Sequence, residues 1–281
     1  MSEQDFAGCE AVVRKWHYDR YLAALFAPVG LRVHLFALYA FNHEIAKIAE
    51  SVSQPMAGLI RLQWWRDAVH EIYEGAVRRH DVAQALAATI KAHSLPRDMF
   101  DTLIDARESD LDETPFADLD QLEAYADATS AGVMRLALRV LGAGDAHDEA
   151  AQHAGIAYAL TGLLRALPYH AARRRLMLPV RMLKLAGVSP EDVFAGRASA
   201  GLNAVMREIA AQARTQLAAA KKHPVQRRFL PALLPGATVP TYLDVVTGAE
   251  FNPFRDAADG PAYRRQIAML RAMVRGFLPS P

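Results

Sequence analysis

The chain has 281 residues, of which 52% are hydrophobic and 22% charged, with a formal net charge of +1. That balance predicts a globular protein with a substantial core and excludes a largely disordered one. It also gives no global attraction to nucleic acid, so no nucleic-acid partner is expected. The single cysteine, Cys9, excludes an internal disulfide framework and any multi-cysteine metal site. The opening MSEQDFAGCEAVVRKW carries acids and no apolar core, unlike a secretory signal. No uncharged apolar run reaches the ~18–20 residues of a spanning helix. A soluble or peripheral protein is expected.

Alanine is abundant and β-branched residues are sparse, which favours helix almost throughout; no alternating strand pattern of useful length occurs. Helices are expected over 5–26, 30–51, 57–76, 79–93, 97–110, 118–142, 146–167, 201–221 and 261–277. Breakers fall between them at Pro28-Val29-Gly30, Pro55, Gly75, Pro96, Pro115, Gly142 to Asp145, Pro168 and Pro179. Asp118 or Asp120 is placed to cap the helix through Leu122 to Val140. Ser189-Pro190-Glu191-Asp192 has serine at the cap, proline in the first turn and acids behind it. From about residue 224, prolines at 224, 231, 235, 240 and 253 predict short, irregular helices packed on the rest. No long linker and no internal repeat appears, so one all-α domain over 1–281 is expected.

Two stretches carry the functional reading: LYAFNHEIAKIAE, Leu38 to Glu50, and LTGLLRALPYHAARRRLMLP, Leu160 to Pro179. Both resemble the diphosphate-binding segments of squalene and phytoene synthases. Joining allylic diphosphates requires Mg²⁺ to neutralise the leaving group, and that ion takes hard oxygen ligands. Carboxylates at i and i+4 share one helix face, so two Asp-x-x-x-Asp helices facing each other make the cage. In the first segment, Leu38-Tyr39-Ala40-Phe41 matches the family's lead-in, and Asn42 and His43 replace its usual cysteine and arginine. The family's aspartate positions fall on Ala46, Lys47 and Glu50, so only Glu50 offers an oxygen ligand. In the second, Ala166 and His170 stand at the two aspartate positions, and Pro168 is expected to kink or end the helix there. Arg165, Ala171, Arg173, Arg175, Leu178 and Pro179 match the family. The likeness extends in order over about the first 200 residues, through Tyr21 to Arg32, Trp65 to Gly75, Leu95-Pro96, Asp110-Leu111 and Tyr125 to Gly142. AFNHEIA, SVSQ, GLIRLQWW and above all Pro168-Tyr169-His170 resemble the aspartate-less branch that includes the mitochondrial assembly factor for respiratory complex I.

Each remaining feature admits two readings. Asn42, His43 and Glu44 fit either a small polar site or satisfied polar residues on a half-buried helix. Lys47, Arg165, Arg173 and Arg175 fit either an anionic head-group site without metal or structural ion pairs with acids such as Glu44 and Glu50. Asp67, His70 and Glu74 have one-face metal spacing, but no matching acids are identifiable elsewhere; His153 and His170 read as ordinary polar residues. Of Trp64 and Trp65, one belongs to the core, and the other is either core or a surface anchor. In the C-terminal run, Ile267, Leu270, Val274, Phe277 and Leu278 share a side, with Arg264, Arg265, Arg271 and Arg275 elsewhere. That side fits an anionic membrane surface or a terminal helix packing on the bundle.

The resemblance implies an all-α isoprenoid-synthase bundle around a central cavity, with Tyr39, Asn42, His43, Glu44, Arg165, Tyr169, Arg173 and Arg175 as cavity or ligand-binding candidates. It implies a non-catalytic member without a cofactor that binds an immature complex I subunit or assembly intermediate. It places that member in the cytoplasm or peripherally on the inner membrane. An isoprenoid or quinone-like tail is a candidate cavity ligand, and a lipid carrier or sensor is a related reading. The alternative is a divergent prenyl-diphosphate condensing enzyme, which would require Mg²⁺.

Overall fold

The computed structural model describes residues 3–112 and 114–275, and among them the chain is helical with turns and no strand. The helix expected over 5–26 is two, α1 (Glu3–Trp16) and α2 (Tyr18–Ala24). His17 leaves helical geometry between them at φ −133° and ψ 54°. Its ring turns to α3 (Val29–Ala46), where Nε2 lies 3.1 Å from Nδ1 of His43. A 3-10 turn, Ile48–Glu50, closes the stretch expected to stay α-helical to 51. Next come α4 (Pro55–Tyr73), α5 (Asp81–His93) and α6 (Arg97–Ala106). Pro55 opens α4, at a position whose N–H would have no partner inside the helix.

The segment expected as one helix over 118–142 is interrupted. Asp118 caps α7 (Leu119–Ala126), its carboxylate accepting from the Gln121 N–H, and a π turn, Asp127–Ala131, separates it from α8 (Gly132–Val140). The π turn lies against α9 (Asp148–Arg165) at Gly155, where a Cβ would stand 2.3 Å from the Ala131 Cα. Only glycine permits that approach. The remaining helices are α10 (Leu167–Ala172), α11 (Val180–Leu185), α12 (Pro190–Phe194), α13 (Ala200–Ala220), α14 (Val239–Val246) and α15 (Ala262–Arg275). The Ser189 cap of α12 forms as expected: its hydroxyl accepts from the Asp192 N–H, while the Asp192 carboxylate accepts from the Ser189 N–H.

α3 runs through the core between α1, α5 and α8, and α9 lies along α13. Leu35, Leu38, Tyr39, Phe41 and Ile45 of α3 are buried, and Phe41 meets Trp65 and Phe100 edge-on with ring centroids 5.4 and 5.6 Å away. Each such aliphatic or aromatic side chain contributes about 1.5–3 kcal/mol through burial. The proline-rich stretch folds into 3-10 turns, Arg227–Ala232 and Leu234–Thr238, the second packed against α2, α9 and α15.

α15 does not pack through the side that carries Ile267, Leu270 and Val274. It packs through Met269, Ala272 and the half-buried Met273, while Arg265 turns inward to Asp19 and Tyr242. A buried carboxylate needs a counter-charge, and Arg265 supplies it, which fixes the rotation of the helix. Phe277 and Leu278 lie outside the described residues.

Candidate binding site between the two motif segments

The two segments singled out in the sequence come together. α3 and its 3-10 turn form one wall, and the α9–α10 corner forms the other. Pro168 sits in the first turn of α10, and the helices part at Ala166, which has φ −85° and ψ 3°. The expected break at Pro168 is therefore present.

At the motif positions, every acidic or basic group has a partner inside the chain. Lys47 Nζ donates to Glu44 Oε1 at 2.5 Å. The Tyr169 hydroxyl donates to Glu50 Oε2 at 2.6 Å, joining the 3-10 turn to α10 across the gap between the segments. The Arg173 guanidinium lies 3.7 Å from the Tyr169 ring centroid and covers its face. Of the pairings expected from sequence, Lys47 with Glu44 forms, whereas Glu50 accepts from a tyrosine. Arg165 pairs with Asp259 and stacks 3.6 Å from the Tyr242 ring centroid; Arg175 donates to Asp110 at 2.9 Å. His170 is largely buried, and desolvation followed by the nearby Arg175 pulls its pKa down to about 4, so it is neutral at pH 7.

Deeper in, the site is cationic. Arg107 donates to Asp110, to the Tyr125 hydroxyl and to the Asn42 side-chain carbonyl at 3.2, 2.8 and 3.3 Å. Burial works against its charge, and Tyr125 and Asp110 more than offset that cost. Asp110 also accepts from the Tyr125 hydroxyl at 2.7 Å, so this one buried carboxylate gathers Arg107, Arg175 and Tyr125. Arg20 is only 6% exposed and lies between Tyr39 and Tyr158, with ring centroids 5.6 and 5.8 Å from its guanidinium carbon. Burial lowers its pKa, and the adjacent tyrosines and Asp19 oppose the shift. Both tyrosines are pushed up to about 12 by burial and stay protonated. His17 is held well below its ordinary value by burial, then by Arg20, His43 and Arg107. His43 is lowered too, by burial and Lys47, so one neutral ring donates to the other. A third group lies behind these: Asp19 accepts from the Tyr242 hydroxyl at 2.6 Å and from Arg265 at 3.2 Å.

Sequence reasoning missed Asp19, Arg20, Arg107, Tyr125, Tyr158 and Tyr242. A faint signal existed in the charged pair Asp19-Arg20, set among the aromatic and aliphatic residues Tyr18, Tyr21, Leu22, Ala23 and Ala24. Beside the site, a cleft of about 920 Å³ opens between Val52, Asp110, Phe116, Tyr125, Arg175 and Phe194.

The other candidates have ordinary roles. His70 lies 2.7 Å from Arg97 and pairs with Glu74, while Asp67 accepts from Gln63 on the exposed face of α4. His153 bonds Gln216 at 2.6 Å. Trp65 is core; Trp64 is half-buried against it, with the Arg78 guanidinium 5.1 Å from its ring centroid.

The family model for squalene/phytoene synthase matches residues 13–271. The chain belongs to the squalene/phytoene synthase family. Among curated relatives, it is 34% identical to complex I assembly factor 6 of Bos taurus, over 93% of this chain and 78% of that one. The Homo sapiens assembly factor 6 is also 34% identical, over 88% of this chain and 75% of that one. A presqualene diphosphate synthase of Rhodopseudomonas palustris is 31% identical over 72% of each chain. The fold is that of a dehydrosqualene synthase crystallised with ligand, at TM-score 0.85 and 19% identity, covering 97% of this chain and 96% of that one. A squalene synthase from Alicyclobacillus acidocaldarius has a TM-score of 0.69 over 98% and 95% of the two chains.

The enzymes of such a fold imply bound Mg²⁺, and the donors here do not fit it. Glu44 and Glu50 are held by Lys47 and Tyr169, His170 offers a neutral imidazole, and Ala46 and Ala166 offer nothing. Among the described residues no group of three or more His, Cys, Asp or Glu is placed to hold a metal ion. Mg²⁺ requires several oxygen ligands in near-octahedral geometry.

Proposed function

We propose that this family member is non-catalytic and acts by binding, as an assembly factor for respiratory complex I that recognises an immature subunit or assembly intermediate. The observation that carries this reading is the engagement of Glu50 by Tyr169 across the two motif segments, together with the break of the second helix at Ala166. The similarity to complex I assembly factor 6 over most of the chain supports the same role. The protein works without a metal cofactor, in the cytoplasm and at the inner face of the membrane where its partner is built.

The buried cations Arg20 and Arg107, with neutral His17 and His43 beside them, favour an anionic head group over a metal complex. A lipid with such a head and an isoprenoid or quinone-like tail is the corresponding ligand. Lipid extracted from the purified protein and identified by mass spectrometry tests this part.

Deleting the gene in its own cell tests the role. Assembly of complex I should stall, with loss of NADH:quinone oxidoreductase activity and accumulation of a partial complex on native gels. Restoring the chain should reverse both. Normal assembly in the deletion strain would contradict the proposal.

A second reading, a divergent prenyl-diphosphate condensing enzyme, draws on the similarity to presqualene diphosphate synthase. It would need the diphosphate leaving group stabilised by arginines alone.

A further inference from the structure

α15 carries two faces. The inner one, with Arg265, Met269 and Ala272, rests on the bundle. On the outer one, Tyr263, Ile267, Leu270 and Val274 recur at i, i+4, i+7 and i+11, within about 60° of helical arc. They are 56%, 40%, 54% and 65% exposed, on a surface where large apolar groups are normally scattered singly. Arg264, Arg271 and Arg275 occupy the adjoining arc along one flank. All three are exposed, the helix contains no acid, and none of the three pairs with a carboxylate among the described residues.

The helix is firmly placed. Arg265 anchors it to Asp19 and Tyr242, and Arg227 donates to the carbonyls of Met273 and Val274 at 2.7 and 3.1 Å, holding its C-terminal end. It stands as a ridge between two hollows. One, of about 200 Å³, faces Leu25 and Phe26 at the end of α2; the other, of about 510 Å³, faces Pro240 and Thr241 of α14. Leu25 and Phe26 are themselves exposed and extend the apolar surface.

We propose that the outer face of α15, with Leu25 and Phe26 beside it, is a docking surface for an anionic lipid bilayer. A projecting apolar ridge enters a deformable phase readily, and unpaired arginines along its flank reach back to anionic head groups while their stems lie against acyl chains. The same charges would repel a second copy of the ridge. This inference stands apart from the assembly reading and survives its failure.

The test is flotation of the full chain with vesicles of phosphatidylcholine alone and of phosphatidylglycerol and phosphatidylcholine in equal parts. The wild type should float only with the anionic vesicles, and less at high salt. Leu270→Asp with Val274→Asp should abolish flotation, with an unchanged circular-dichroism melt because both side chains are exposed. Arg264→Gln, Arg271→Gln and Arg275→Gln together should weaken partitioning on the order of 100-fold, since each basic residue contributes roughly a factor of five at an anionic surface. The arginine variant removes no apolar contact, so it tests the surface even if the aspartates disturb folding. Equal flotation with both vesicle types, no flotation with either, or variants that float like wild type would overturn the proposal. So would a concentration-dependent dimer broken by the same substitutions.

Discussion

The two motif segments are built in different physical ways. In the first, α3 keeps its helix through Ala46, and of the side chains at Ala46, Lys47 and Glu50 only Glu50 offers an oxygen. In the second the helix itself is interrupted: α9 ends at Arg165, and His170 lies on α10, which carries Pro168 in its first turn. One mutation can place an acid on a continuous helix, whereas no single side-chain change realigns two separate helix axes. The two walls are then joined by Tyr169 to Glu50 at the mouth and, inside, through Asp110, which pairs with Arg175 and with Arg107, itself bonded to Asn42 of α3.

The largest effect should come from cutting the inner join. Asp110→Ala removes the counter-charge of two arginines and leaves the Tyr125 hydroxyl without its acceptor, which should cost about 3–5 kcal/mol in urea unfolding. A loss under about 1 kcal/mol would mean that the two walls stand independently.

Acid should act next, on His170 of the second segment as well as on His17 and His43. His170 has its folded pKa pulled from 6.5 to about 4, so the unfolded chain binds the proton more readily between those values. Its contribution is complete above pH 6.5 and is lost as the pH falls toward 4, amounting to about 1–3 kcal/mol. Unfolding of wild type and His170→Gln across that window should show a shallower slope in the variant, with His17 and His43 carrying what remains. Equal slopes would place the acid sensitivity elsewhere.

The outer join should be weaker. Tyr169→Phe removes one hydrogen bond at a partly exposed site and should cost under about 1 kcal/mol. The smallest effect should follow introduction of acids at the motif positions. Ala46→Asp with Ala166→Asp should bind Mg²⁺ no better than wild type by calorimetry, because the second wall's backbone break remains. Tight binding by that variant would show that substitution alone separates this chain from a metal site.

Much of this was legible in the chain. Alanine richness and breaker positions gave the helices, Pro168 marked the break in the second segment, and Ser189 and Asp118 marked caps, because all of these are local effects. The pairings that give the site its character are long-range. Arg165 meets Asp259 across 94 residues and Arg265 meets Asp19 across 246, and no spacing rule encodes either. The rotation of α15 was hidden for the same reason. Its sequence offers two apolar faces, and the half-buried Arg265, not the larger aliphatic residues, decides which one turns inward. The break at His17 has no proline or glycine to mark it, and it goes with a ring contact to His43, 26 residues away.

The most direct measurement is turnover by the purified, folded chain with farnesyl or geranylgeranyl diphosphate and Mg²⁺, read as released pyrophosphate and C30 or C40 products. With Glu50 engaged by Tyr169 and the second motif helix broken, no metal-dependent product should form. Metal-dependent condensation, abolished by Tyr39→Phe or Arg165→Ala, would contradict the account and require a metal site that these walls do not contain.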